Sequence, residues 1–293
     1  MNRPEKWQPG VTAASKVRAI ARQALSARLE RVVKNLKRAV KESQDQADNI
    51  HRLRTWCRRC AAAVELFRPL LPKKEAKWFA RQLKKVRQAA GDVRDLDVML
   101  EQAADNPPLV EELKKQRDKA SKPLGKLHKR LLHGNEFDKR PRRLLAAIDQ
   151  PKKRLGEWST RRVGKQAAAL VALGKRSLRV LEAAHEFRIA CKELRYVLEI
   201  VGSALPMTAV RVFVLLGDLQ QRIGVVCDHA AAEKMYQQLL TKVGRSQRQP
   251  WRAAITTAKK ERGKTHKAFL RWWTRGRRTA FHTMLVQAGL LKE

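Results

Sequence analysis

Carboxylates are scarce in this chain: 28 Asp plus Glu stand against 65 Lys plus Arg over 293 residues, a formal charge of +37. A compact fold with that imbalance repels itself, and a polyanionic partner is its natural explanation. Nucleic acid, polyphosphate and an anionic membrane surface all qualify on charge alone. Cysteine is scarcer still. Four are too few for a disulfide scaffold, and Cys57-x-x-Cys60 has no second pair at zinc-ligand spacing, which leaves small thiols packed in a core. Only 5% of residues are aromatic, with no RNA- or DNA-binding signature among them. Glycine (14) and proline (11) are few while 43% of residues are hydrophobic, which argues against disorder and fits one large or two ordinary helical domains. No apolar run approaches membrane-spanning length, Met1 to Trp7 lacks the apolar stretch of a secretion signal, and no alternating strand pattern of useful length occurs. The expectation is an all-α, soluble protein in a reducing, cytoplasmic setting.

Against these absences one motif is written twice. His51-Arg-Leu-Arg-Thr-Trp-Cys-Arg-Arg59 returns as His185-Glu-Phe-Arg-Ile-Ala-Cys-Lys-Glu-Leu-Arg195. At about 100° per helical residue, His51, Arg54 and Arg58 fall within roughly 60° of one another, as do His185, Arg188 and Lys192. Leu53, Trp56, Cys60, Val64 and Phe67 occupy the opposite side of the first copy, and Phe187, Ala190, Leu194, Leu198 and Val201 that of the second. Each segment is an amphipathic helix with a column of cations on its other face. The echo extends further: Glu65 answers to Glu199, Leu71-Pro72 to Leu205-Pro206, and, with an offset one shorter, Gly91 and Asp95 to Gly224 and Asp228. So long a period implies a duplicated half rather than a solenoid. Two such halves pack most simply about a pseudo-twofold axis, which brings the two columns towards one surface.

Along the chain, residues 1–10 read as a loose leader and 11 to about 43 as a long helix. A short break at 43–48 precedes the first motif helix, which ends near Arg68-Pro69. A helix opened by Pro72 carries Lys77, Arg81 and Lys84 on one face and runs into Arg94-Asp95-Leu96-Asp97. Asp95 and Asp97 are two apart and point in different directions on a helix, so they orient neighbouring arginines rather than share a metal or a proton; the same reading suits Glu65 and Glu199. Asn106-Pro-Pro108 starts a helix to about Leu132. The divisions are then 11–133 for the first half, 134–141 for the link and 142–293 for the second half. In the second half helices are expected at Trp158 to Leu181, at the second motif, from Met207 to Val243 with Arg222 on its basic face, and from Trp251 to Gly289.

Arg-rich columns with few acidic neighbours destabilise an isolated helix, and arginine's planar fork suits phosphate oxygens. Anion binding is the better reading than a merely solvated face. A nucleophilic His51 or His185 lacks a phosphate-cradling glycine loop and a carboxylate set for magnesium, and a metal site lacks further ligands nearby, so neither cofactor nor metal is expected. Histidines among bound phosphates gain a proton, so binding strengthens towards acid pH. The rival is nucleic acid, bound without base specificity by the last helix, where Trp272-Trp273 lies among the nine Lys and Arg from Lys259 to Arg278.

The residues His51-x-x-Arg54-x3-Arg58-Arg59, Gly91-Asp-Val-Arg-Asp-Leu-Asp-Val98 and His185-x-x-Arg188-x3-Lys192-x-x-Arg195-Tyr196 resemble the CHAD domain, the conserved histidine α-helical domain. The likeness runs from about residue 11 to about residue 290. It implies two antiparallel four-helix bundles around a basic central cavity that binds inorganic polyphosphate, and a binding module rather than an enzyme, acting in the cytoplasm or at polyphosphate granules. The expected contact residues are His51, Arg54, Arg58, Arg59, His185, Arg188, Lys192 and Arg195, with Lys77, Arg81, Lys84 and Arg222 added from helical phase. Nucleic-acid binding and an accessory role to a polyphosphate- or triphosphate-processing enzyme stay open as alternatives. The chain departs from the pattern at the second Arg-Asp-Leu-Asp site, which reads Val226-Cys-Asp-His229.

Overall fold

Apolar residues at helical spacing set the elements: Leu25, Leu29, Val32 and Leu36 are buried along the first helix, and Phe187, Leu194, Leu198 and Val201 along the second motif helix. The computed structural model describes residues 7–41, 46–104, 107–134, 136–148, 153–241, 244–245 and 248–292. Among these the chain is all-α. A first group comprises α1 (Val17–Lys41), α2 (Gln46–Leu66), α3 (Lys73–Gln102), α4 (Pro107–His128) and α5 (Glu136–Ala146). A second comprises α6 (Leu155–Lys175), α7 (Leu181–Val201), α8 (Thr208–Leu240), α9 (Arg248–Trp272) and α10 (Arg275–Gln287). Single 3-10 turns, Arg68–Leu70 and Gly202–Ala204, close α2 and α7, and a π-turn, Lys129–His133, extends α4.

In the first group α1, α2, α3 and α4 pack in order, α4 also touches α1, and α5 lies on α1 and α3. In the second, α6 to α9 pack in order, while α10 lies against α8 and α6. Among the described residues the helices of the two groups pack on one another chiefly in two places. One join is the packing of α2 on α7 within the main core. The other is a separate apolar cluster in which Leu96, Met99, Leu109 and Leu113 of α3 and α4 meet Tyr236 and Leu239 of α8 and Trp251 of α9.

Several boundaries differ from the sequence reading, each for a physical reason. Residues 1–6 of the leader lie outside the described residues, but Trp7 and Gln8 are not loose. Trp7 is 6% exposed, edge-on to Phe213, and seated over Gly202, where a Cβ would stand 2.7 Å from the indole ring. Gln8 donates its backbone N–H to the Glu199 carbonyl at 2.8 Å and accepts from Arg28 at 3.0 Å. The break at 43–48 lies partly outside the described residues, and α2 is already helical at Gln46. Most of the stretch read as the link, 134–141, is helix: α5 buries Phe137 and Leu144 and packs on the first group, so the chain crosses to α6 after residue 146. The long last helix is two. Thr274 is extended at φ −72°, ψ 168°, and its hydroxyl accepts the Arg277 N–H at 3.3 Å, capping α10. The expected end at Gly289 holds: φ is +67°, with Leu290 N–H bonded to Leu285 and Gly289 N–H to Val286, the left-handed stop that glycine allows.

Candidate functional site

The buried sides of α2 and α7 face the core, which turns their cation columns outward to the seam between the groups. Cys57, Cys60 and Cys191 are buried there as free thiols, and burial pushes the Cys60 thiol up to about 12, so these are inert packing groups. Across the seam the two columns feel one another. The Arg58 guanidinium is held below its ordinary pKa by burial and by the positive charges of Arg54, Arg87 and Arg188, against a smaller raising effect from Tyr196. Lys192 is pulled down to about 7 by burial and then by Arg188, Arg58 and Arg54, with Asp228 opposing. Both histidines are also lowered, first by burial. His51 is lowered further by Arg94, Arg54 and Arg58 against Asp48, and His185 by Arg188, Lys192 and Arg58 against Glu186.

Two local arrangements repeat. Arg54 reaches Asp95 at 3.1 Å beside Gly91, and Arg188 reaches Asp228 at 3.3 Å beside Gly224. In both, the guanidinium lies against helix backbone that carries no side chain. These carboxylates pair with arginines; Asp97 likewise bonds Arg117 at 2.5 Å and ties α3 to α4. The Nε atoms of Arg54, Arg188 and Arg195 are buried without a partner among the described residues. An open cleft of about 700 Å³ between α7 and α8 is lined by Arg188, Lys192 and Arg195 on one wall and by Gly217, Gln220, Gln221, Gly224 and Asp228 on the other. Arg195 lies on the Phe213 ring at 4.7 Å and donates to Gln220 at 3.3 Å.

Not every predicted site residue joins this cluster. Arg59 shares a helix with Arg58 but turns inward. It donates Nε and Nη2 to both oxygens of Glu199 at 2.7 and 3.0 Å and stacks on Trp56 at 4.8 Å. With side-chain exposures of 16% and 3%, this pair is a strut between the groups rather than an open anion contact. Arg222 faces away from the cleft, its guanidinium 4.6 Å from the Trp272 ring on α9. Lys77, Arg81 and Lys84 are exposed on α3, and none is among the charges acting on Arg58, Lys192 or the histidines.

Two other cations of α3, Arg87 and Arg94, do act on the cluster. Their signal was available, since Arg87, Gly91 and Arg94 follow one another at i, i+4 and i+7. The stripe through Lys77 and Arg81 runs one position aside. Among the described residues no group of three His, Cys, Asp or Glu could hold a metal ion, and no helix is long and apolar enough to cross a membrane.

Comparison with known proteins agrees with this architecture. The sequence pattern of the CHAD domain matches residues 23–237. The crystal structure of the CHAD domain from the plant Ricinus communis superposes with a TM-score of 0.66 at 19% identity over 97% of both chains. PptA from Streptomyces chartreusis superposes with a TM-score of 0.59 at 14% identity, over 88% of this chain and 99% of its own. No curated protein matches the chain.

Proposed function

We propose that this chain, which belongs to the CHAD domain family, binds inorganic polyphosphate on the basic seam formed by α2, α3, α7 and α8. One observation carries the reading: Arg54, Arg58, Arg188 and Lys192, drawn from two helices, share one partly buried cluster, where burial and then the neighbouring cations pull Lys192 down to about 7. Among the described residues, the carboxylates paired with them are Asp95 and Asp228. Such a cluster is costly without an anion, and a polymer that is all phosphate answers it with many oxygens and no demand for base stacking. The repeated Arg–Gly–Asp arrangements support two duplicated halves facing one another across a basic cavity, with Arg87 and Arg94 added to its lining. The chain acts as a binding module without turnover, in the cytoplasm and at polyphosphate granules.

The test is a competition and salt titration of long-chain polyphosphate against single-stranded DNA. Wild type is compared with an Arg54→Ala/Arg58→Ala/Arg188→Ala/Lys192→Ala variant. Polyphosphate is expected to win on wild type, and the variant to lose that preference. By analogy with DNA, the logarithmic salt slope should flatten by roughly 0.9 per lost contact. Equal competition by DNA, with the variant binding as before, would move the site to the exposed cations of α9.

A further inference from the structure

A second pocket lies on the far side of α7 from the basic cleft, between α6, α7 and α10. Its floor is buried and apolar, made by Leu170, Phe187, Trp273 and Phe281. Phe187 and Phe281 flank Trp273 at ring distances of 5.8 and 6.1 Å. Its volume is about 320 Å³, within the range of small-molecule sites. Gly174 keeps the floor open beside Phe187, because a Cβ there would stand 3.1 Å from the ring.

The mouth has the opposite character. Lys175, Arg275, Arg278 and His282 line the pocket and are exposed, and among the described residues no acidic side chain lines it. Arg275 and Arg278 also sit in the first turn of α10, which holds no carboxylate. Cations at a helix N-terminus oppose its partial positive charge, whereas a bound anion would be favoured by both. Trp272 does not cover the opening; its ring is held between Arg222 and Arg277, each 4.6 Å away. The indole N–H of Trp273 is buried without a partner among the described residues.

We propose that this pocket binds a small amphipathic anion, an alkyl or aryl body carrying a single carboxylate or phosphate head. The body fills the aromatic floor, and Arg275 and Arg278 hold the head at the N-terminus of α10. Polyphosphate offers no apolar surface, so this ligand class is distinct from the one assigned to the seam, and the two sites stand or fall separately.

The experiment is calorimetric titration of the full chain with decanoate below its micellar range, beside decanol and pyrophosphate. Decanoate is expected to bind at one site, with decanol and pyrophosphate each at least tenfold weaker, since each lacks one half of the recognition. Two variants at exposed positions locate the event without disturbing the core. Arg275→Gln/Arg278→Gln should weaken decanoate roughly tenfold while leaving decanol unchanged. Thr279→Trp, which places a bulky ring at the mouth, should abolish single-site binding, and circular dichroism confirms that both variants stay folded. Failure of decanoate to bind, equal binding of decanol, or decanoate binding unaltered in folded Thr279→Trp would each overturn the proposal.

Discussion

Lys192 is the residue on which the electrostatics of the seam can be read. Burial and the charges of Arg188, Arg58 and Arg54 bring its ammonium to about 7 in the free protein. A bound polyanion favours the charged form, so binding above pH 7 takes up a proton and affinity falls as pH rises past 7. His51 and His185, both lowered, act in the same direction. Calorimetry in two buffers of different ionisation enthalpy should register the uptake at pH 8, and Lys192→Arg should remove its largest part. Folding carries the opposite sign. The unfolded lysine, at its ordinary 10.5, holds a proton that the folded one releases, so this group makes the fold more stable as pH rises from about 7 to 10.5. Arg59 answers a different question. Removing it leaves Glu199 buried and unpaired, so Arg59→Ala should cost about 3–5 kcal/mol in a urea titration, well beyond the effect of Arg58→Ala.

Among elements, the helices were legible because buried positions repeat with helical spacing, and the two motif helices stand where the periodicity puts them. Harder to read was what each cation does once helices meet. Arg58 and Arg59 are neighbours in one basic run, yet one turns to the seam and the other to Glu199 on another helix, a choice set by tertiary packing. Helical phase puts Arg222 on the basic face of α8, while the arrival of Trp272 from α9 takes its guanidinium elsewhere. The division of the last helix at Thr274 has a faint local signal, since Thr274 and Gly276 are weak helix formers. The cap nonetheless has a measurable share: Thr274→Ala should lower stability by about 1 kcal/mol. Trp7 was hidden by its proline- and glycine-flanked setting. Trp7→Ala should cost about 3 kcal/mol, and Gly202→Ala, which drives a methyl into the indole, should mimic it in part.

For the whole molecule, the charge of +37 sets the dominant long-range force. Self-repulsion opposes the compact state and salt screens it, so the melting temperature should rise with sodium chloride. Polyphosphate should raise it further at equal ionic strength, because a ligand of the folded state adds about 2.7 kcal/mol at a hundredfold excess over its dissociation constant. Differential scanning fluorimetry with matched ionic strength separates the two contributions, and the quadruple seam variant should retain only the first.

The double join between the helix groups bears on how fast such a ligand comes and goes. Pinned at α2 on α7 and again at the cluster around Met99 and Trp251, the two groups are held from closing on the seam. Capture is then a single collision step without a gating isomerisation, and its observed rate in stopped-flow mixing should climb linearly with polyphosphate concentration without reaching a plateau. Release is by peeling one phosphate after another from a fixed comb of cations, so residence time should lengthen with chain length until the comb is fully occupied.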